Sequence, residues 1–183
     1  MSTSERFQYR GINHLALVCS DMARTVDFYT NVLEMPLVKT LDLPGGRGQH
    51  FFFGIGGSNT LAFFWFPDAP EPAPGISAPA GGAGGFMSAI GSMNHVAFDV
   101  APENIERYRD RLRAFGVEVT DVVNHDESET GRSDEVGPGV FVRSIYFRDP
   151  DGIMLEFACW TRAMGQPGDV KHTPRSVLQP VAG

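Results

Sequence analysis

The 183-residue chain is long enough for one globular domain, and it carries 22 acidic residues against 15 basic ones, for a formal net charge of −7. This balance, with no cluster of Lys and Arg, excludes the electrostatic pattern of a nucleic-acid-binding protein. No apolar run approaches the ~20 residues that a membrane span requires, and the N-terminus has no apolar signal segment, so we expect a cytoplasmic protein without a membrane partner. Cys19 and Cys159 belong to no Cys-x-x-Cys pair and are expected to be reduced core thiols.

The first half of the chain is predicted to form a strand, a helix and three further strands. In the first strand, GINHLALVC at 11–19, His14 lies among apolar residues. Asp21 is placed to cap the helix predicted at 21–35, in which apolar residues recur at helical spacing. The three further strands are predicted at 36–43, 49–55 and 60–66.

The second half repeats this order. The strand MNHVAFDV at 93–100 places His95 where the first half has His14. The helix at 102–116 begins with a proline and ends at a glycine, both typical of helix termini. The three further strands are predicted at 117–123, 140–147 and 153–160.

The two halves are predicted to be duplicated β-α-β-β-β modules of a single α+β domain. A period this long, present in two copies, is typical of a duplicated supersecondary unit. Neither copy is expected to bury its sheet alone, so we predict one cupped, eight-stranded mixed sheet around a concave site. The predicted domain covers 1–183, with module one at 10–66, a Pro/Gly/Ala-rich linker at 67–92, module two at 93–160 and a polar tail at 161–183.

The motifs of these modules resemble the vicinal oxygen chelate superfamily, which includes glyoxalase I, bleomycin-resistance proteins, fosfomycin-resistance transferases and extradiol dioxygenases. The resemblance covers residues 10 to 160 and is most specific in INHLALVCSDMARTVDFYTNVLEM and IYFRDPDGIMLEF. In that family, paired modules surround a divalent metal ion. The resemblance therefore implies a metal site between the two modules.

By position, the resemblance implies three metal ligands: His14, His95 and Glu156. Glu156 lies among apolar residues, where an ionised carboxylate is costly unless it is paired or bound to a metal. Glyoxalase I has a further carboxylate on the last strand of module one, but Ala62 or Phe63 occupies that point here. This favours the three-ligand members, the extradiol dioxygenases and fosfomycin transferases. For each ligand alone, the alternative is an ordinary core histidine or a solvated carboxylate.

The segment IYFRDPDGIMLE also resembles the extradiol-dioxygenase signature, which implies that Tyr146 hydrogen-bonds a substrate oxygen. The histidine that begins that signature is absent, since Gly139 falls at the nearest spacing. His125 is a candidate general acid or base, and its alternative is a solvated loop histidine. His50 is a weaker candidate of the same kind, and His172 in the polar tail is discounted.

Three classes of function remain open. The favoured one is a metal-dependent dioxygenase-type oxidoreductase, with Fe(II) holding a small molecule through vicinal oxygens. The second is a metal-dependent lyase, isomerase or resistance transferase that uses Mn, Zn, Ni or Mg as a Lewis acid. The third is a non-enzymatic small-molecule binding or bleomycin-resistance-like protein. A small-molecule substrate is the expected partner, nucleic acid and membranes are excluded, and a homodimer stays open.

Overall fold

The computed structural model describes residues 10–71, 88 and 90–174. Most of the predicted linker and the last part of the predicted tail lie outside the described residues. The described chain combines strands with a few helices, which confirms the α+β class predicted from the sequence. None of the helices in these ranges has the length and apolar character needed to span a membrane.

The first sheet is built from the first half of the chain and has the order β1-β4-β3-β2. Strands β1 and β4 are parallel, and the other neighbours are antiparallel. The aromatic and branched residues of these segments favour the extended, half-buried geometry of a sheet. The strands are β1 His14–Val18, β2 Leu37–Asp42, β3 Gln49–Gly54 and β4 Thr60–Trp65, with a 3₁₀ turn at Pro44–Gly46 after β2.

Helix α1 spans Met22–Asp27 and begins as predicted, because the Asp21 side chain accepts a hydrogen bond from the Arg24 backbone N–H at 3.0 Å. The single helix predicted for this segment instead widens into a π-helix at Phe28–Val32. Tyr29 in this widened turn is fully buried. The π-helix therefore belongs to the part of the segment that enters the core.

The second sheet is built from the second half and has the order β5-β9-β8-β6-β7. Helix α2, Ile105–Ala114, follows β5 after a 3₁₀ turn at Pro102–Asn104. Its apolar residues Ile105 and Leu112 are buried in the core. The strands are β5 Val96–Asp99, β6 Val123–His125, β7 Arg132–Ser133, β8 Val142–Arg148 and β9 Met154–Trp160.

The strand predicted at 117–123 is largely absent. Val119 forms only an isolated bridge with Phe147, and regular pairing begins at β6. The reason is local, because the Tyr146 backbone N–H donates to the Thr120 hydroxyl at 3.0 Å rather than to a backbone carbonyl. Strand β7, which the sequence did not predict, pairs with β6 beyond this point.

Both sheets pack against one hydrophobic core. The core cluster contains side chains from both halves of the chain, among them Tyr29 and Phe63 from the first and Ile145 and Leu155 from the second. Within the described residues, the strands of the two halves form separate sheets of four and five strands. The structure thus has two sheets on a common core in place of the single eight-stranded sheet expected.

Side-chain alternation fixes which residues face away from this core. Leu15 and Leu17 on β1 pack against the core, so His14 points to the opposite side of the first sheet. Leu155 on β9 is also a core residue, so its neighbour Glu156 faces away from the core on the second sheet. The polar faces of the two sheets therefore look away from their shared interior.

The turn between β8 and β9 joins the two halves of the chain. The Asp151 carboxylate accepts hydrogen bonds from the Ser20 backbone N–H at 3.0 Å and from the Ser20 hydroxyl at 2.5 Å. The same carboxylate forms an ion pair with Arg24 at 2.7 Å. These contacts hold the N-terminus of α1 against the second sheet.

Asp149 makes the buried part of the same junction. It is 6% exposed and accepts hydrogen bonds from the Ile153 backbone N–H at 2.8 Å and from the Tyr29 hydroxyl at 3.2 Å. Burial raises the pKa of Asp149 from 3.8 to about 6. A group of this kind stabilises the fold most when it is protonated.

We predict that Asp149→Asn gains stability relative to the parent as the pH rises. The folded carboxyl keeps its proton up to a pKa of about 6, whereas the unfolded one loses it near 3.8, so the parent loses stability between these values. Asn stays neutral, and its side-chain oxygen can accept the same backbone hydrogen bond. The free energy of unfolding of the variant, measured by urea titration, should improve relative to the parent by up to roughly 3 kcal/mol between pH 4 and pH 8.

The exposed residue Asp68 offers a matched control. Asp68→Asn should differ from the parent by the same small amount at both pH values. A difference between Asp149→Asn and the parent that stays constant from pH 4 to pH 8 would contradict the raised pKa of the buried Asp149 carboxyl.

Candidate metal centre

His95 and Glu156 meet on the face of the second sheet that points away from the core. His95 immediately precedes β5, and β5 lies beside β9 with Ala97 opposite Glu156. The His95 Nε2 atom is 2.8 Å from Glu156 Oε2. The Glu156 side chain is 7% exposed and that of His95 is 33% exposed. The structure therefore brings two of the three predicted ligands into direct contact.

The asparagine before each histidine lies within hydrogen-bond distance of the ring and favours one tautomer. His95 Nδ1 lies 2.7 Å from Asn94 Oδ1, and His14 Nδ1 lies 2.8 Å from Asn13 Oδ1. An amide oxygen only accepts hydrogen bonds, so each Nδ1 donates, and a neutral ring then has a lone pair on Nε2. A hydrogen bond of this kind orients a metal-binding histidine. The roles of Asn13 and Asn94 were missed in the sequence, although the repeated Asn-His dipeptide was the signal for them.

This donor set fits a cation. With Nδ1 as the donor to Asn94, the neutral His95 ring directs a lone pair at the Glu156 carboxylate, and two lone pairs at 2.8 Å repel each other. Either a proton or a metal ion between the two side chains relieves this repulsion. An imidazole nitrogen and a carboxylate oxygen are ligands that Zn, Mn and Fe accept in proteins.

Tyr146 and His125 extend the same polar cluster. The Tyr146 hydroxyl hydrogen-bonds the Glu156 carboxylate, and it lies 3.0 Å from His125 Nε2. Burial, and after it the charge of Glu156, raises the pKa of Tyr146 well above its ordinary value, so the hydroxyl keeps its proton. Burial lowers the pKa of His125, which favours the neutral ring. Tyr146 is thus a hydrogen-bond donor next to a neutral imidazole.

A cavity of about 530 Å³ borders Tyr146, whereas His95, Glu156 and His125 are not part of its lining. Tyr146 lines it together with Thr120, Arg148, Met154 and Phe28. Its volume lies within the range of small-molecule pockets. Tyr146 therefore both contacts Glu156 and borders a space of the size of a small molecule.

His14 lies apart from these residues, on the first sheet. Its ring is exposed and meets Phe52 edge-on, with 6.1 Å between the ring centroids. Across the described ranges, no three His, Cys, Asp or Glu side chains of one chain are close enough to hold a metal ion. The assignment of His14, His95 and Glu156 to a common metal therefore stays a prediction, and a single chain assembles two of the three.

The register of the first sheet decides whether Ala62 or Phe63 occupies the position of the further carboxylate ligand of glyoxalase I. Ala62 is paired with Ala16 and shares the face of His14, whereas Phe63 is buried in the core. The position that faces outward is thus an alanine. His50 also lies on this face, opposite Phe64 across β3 and β4, and His172 is exposed in the tail.

This chain is similar in sequence to a known protein family. The family model of the Glyoxalase/Bleomycin resistance protein/Dioxygenase superfamily matches residues 11–157. The metallothiol transferase FosB of Shouchella clausii (strain KSM-K16) is 29% identical over 154 residues, covering 84% of this chain and 82% of the relative.

Solved structures show the same architecture. The crystal structure of SMU.1112c is 26% identical with a TM-score of 0.58, covering 82% of this chain and 99% of that one. The fosfomycin resistance protein FosX of Listeria monocytogenes, in complex with Mn(II) and sulfate, is 20% identical with a TM-score of 0.52. The match covers 84% of this chain and 95% of the FosX chain. The latter likeness concerns the fold alone. Because the family model covers most of the chain, this protein belongs to the Glyoxalase/Bleomycin resistance protein/Dioxygenase superfamily.

Proposed function

We propose that this protein is a metal-dependent enzyme in which a nucleophile, such as a thiol, attacks a carbon of a small molecule with two neighbouring oxygens. One C–O bond of that molecule breaks, and the proton of the nucleophile ends on the released oxygen. The observation that carries the proposal is the contact between His95 Nε2 and the buried Glu156 carboxylate, two metal-type ligands next to the Tyr146 hydroxyl. The similarity to a metallothiol transferase supports the transferase branch over the dioxygenase branch. A divalent ion, with Mn(II) the first to test and Fe(II) the second, is the proposed cofactor.

The third ligand is proposed to come from a second copy of the chain. His14 and Glu156 face away from one common core, so they cannot converge within one chain of this shape. A two-fold axis that places the first sheet of one copy against the second sheet of another brings both faces together. His14 would then join the partner's His95 and the partner's Glu156. The exposed apolar residues Ile12 and Val18 near His14 would be covered by the same contact.

The side chains of the chain itself supply the remaining chemistry. A bound divalent ion would act as a Lewis acid that polarises the two substrate oxygens. Tyr146 keeps its proton, and its single O–H would turn from Glu156 to the substrate oxygen on which negative charge develops. The neutral ring of His125 could accept the proton of the attacking nucleophile at Nε2 once the Tyr146 hydroxyl, 3.0 Å away, turns to the substrate. The buried position of Glu156 excludes water from this group.

A dioxygenase-type oxidoreductase is the second candidate function. One observation favours it: Tyr146, the residue that the extradiol signature implies as a substrate contact, hydrogen-bonds Glu156. The two functions differ in their co-substrate. Oxygen consumption with Fe(II) and catechol supports the dioxygenase, whereas thiol consumption with Mn(II) and fosfomycin supports the transferase.

We predict that Glu156→Gln weakens Mn(II) binding by about a hundredfold or more and abolishes turnover, because it removes the one anionic ligand proposed for the site. The melting temperature should stay the same or rise slightly, since Gln relieves a buried carboxylate in the metal-free protein. Titration calorimetry with Mn(II), turnover of fosfomycin with a thiol, and thermal melting measure the three quantities. The exposed Glu103→Gln is the matched control and should match the parent in all three.

A Glu156→Gln variant that retains stoichiometric metal and full turnover would contradict the proposed ligand set. A variant that does not fold would show that the carboxylate is structural.

Mixing two inactive variants tests the origin of His14. In a shared site, a heterodimer of His14→Ala and Glu156→Gln has one site with both changes and one site with neither. Random mixing should therefore restore about a quarter of the parental Mn(II) sites, although each variant alone binds little. Bound Mn(II) per chain, measured after the variants are unfolded together and refolded, gives this fraction. Mixtures that bind no more metal than the separate variants would place all three ligands in one chain or exclude His14.

A further inference from the structure

His50 is held firmly by aromatic neighbours on β3. Its ring stacks on that of Phe64, with 3.6 Å between centroids and an interplanar angle of 11°. Phe52 meets it at 4.2 Å and 48°. Two rings thus fix the orientation of the imidazole, as they would that of a phenylalanine.

The Nε2 atom of His50 is buried and has no hydrogen-bond partner among the residues that the structure describes. A buried polar atom without a partner destabilises the fold, and such atoms are rare in native proteins. A phenylalanine at this position would keep the stacking and remove the unpaired atom. The packing of the first sheet therefore gives no reason for a histidine at position 50.

The position of His50 offers a reason. It pairs with Phe64 across β3 and β4, and Phe64 pairs with Val18 across β4 and β1. Because paired residues share a face, His50 lies on the same outward face as His14. Both rings meet Phe52, whose centroid is 6.1 Å from that of His14 and 4.2 Å from that of His50. His50 is thus a second imidazole beside the candidate ligand of the first sheet.

We propose that His50 is a substrate-binding residue, whose Nε2 is held ready to hydrogen-bond an oxygen of the small molecule bound at the site that includes His14. This inference rests on the proposed function for the identity of the site. Burial lowers the pKa of His50, so the ring is neutral at physiological pH and can either donate or accept one hydrogen bond.

A neighbouring side chain has to move before a ligand can reach the buried nitrogen, and Phe52 is the one proposed to do so. It is half-buried and meets His50 at an angle rather than stacked, whereas Phe64 lies parallel to the ring. A rotation of Phe52 would open a path to the edge of the imidazole, where Nε2 bonds in the plane of the ring, while Phe64 keeps its orientation. The ligand gains a hydrogen bond, and the protein loses an unpaired polar atom.

His50→Phe tests this inference, with the same substitution at the exposed His172 as the matched control. We expect the melting temperature of the metal-free His50→Phe protein to rise by about 2–5 °C, because the unpaired nitrogen is gone. Mn(II) affinity should match that of the parent, since His50 is not proposed as a ligand. The dissociation constant of fosfomycin from the Mn(II)-loaded protein should increase about tenfold.

A second measurement follows the ring directly. In nitrogen-15 NMR spectra of the Zn(II)-loaded protein, the His50 signals are those that His50→Phe lacks, and adding fosfomycin or catechol should shift them. His50→Gln, which keeps a hydrogen-bonding group, should bind the probe more tightly than His50→Phe.

The outcomes separate this inference from the proposed function. A lower melting temperature for His50→Phe would show that the nitrogen is structural, and a loss of Mn(II) affinity would make His50 a metal ligand. Probe binding that leaves the His50 signals and the affinity unchanged would also overturn the inference. If the parent binds neither metal nor probe, the proposed function fails. In that case the melting temperature still tests the role of His50, because a value for His50→Phe that equals or falls below that of the parent would overturn it.

Discussion

The hydrophobic core shared by the two sheets constrains every polar side chain of the candidate site. Residues alternate along a strand, so once Leu15 and Leu155 enter this core, His14 and Glu156 must point away from it on opposite sides. One chain therefore presents two outward faces, each with part of a ligand set. The proposed dimer follows from this constraint, because only a second copy can bring one face against the other.

The electrostatics of the second-sheet cluster follow from its burial. Glu156 is a carboxylate in an apolar strand, and its partners are those that a buried charge needs: His95 on one side and the Tyr146 hydroxyl on the other. His95 Nδ1 lies 2.7 Å from Asn94 Oδ1, so this nitrogen is already engaged and Nε2 is the atom that faces Glu156. A proton or a cation between His95 and Glu156 would therefore compensate this buried charge.

Two other buried polar groups differ in whether they have hydrogen-bond partners, and this difference indicates different roles. Asp149 is buried, but it accepts hydrogen bonds from the backbone and from Tyr29, and the bond from Tyr29 joins the two halves of the chain. His50 is fixed in its orientation by Phe64, yet its buried nitrogen is unpaired within the described part of the chain. The first pattern is what a junction requires, whereas the second reduces stability and points to a ligand.

The sequence by itself determined the elements and the candidate residues, since these depend on local periodicity and on short motifs. The strands around His14, His95 and Glu156, the capping role of Asp21 and the repeated Asn-His dipeptide are all visible within a few residues. Only the tertiary structure decided that the strands form two sheets on one core, that His14 lies apart from His95, and that His125 reaches Tyr146. Local pattern cannot supply these relations, because each depends on how segments far apart in the chain pack their apolar faces.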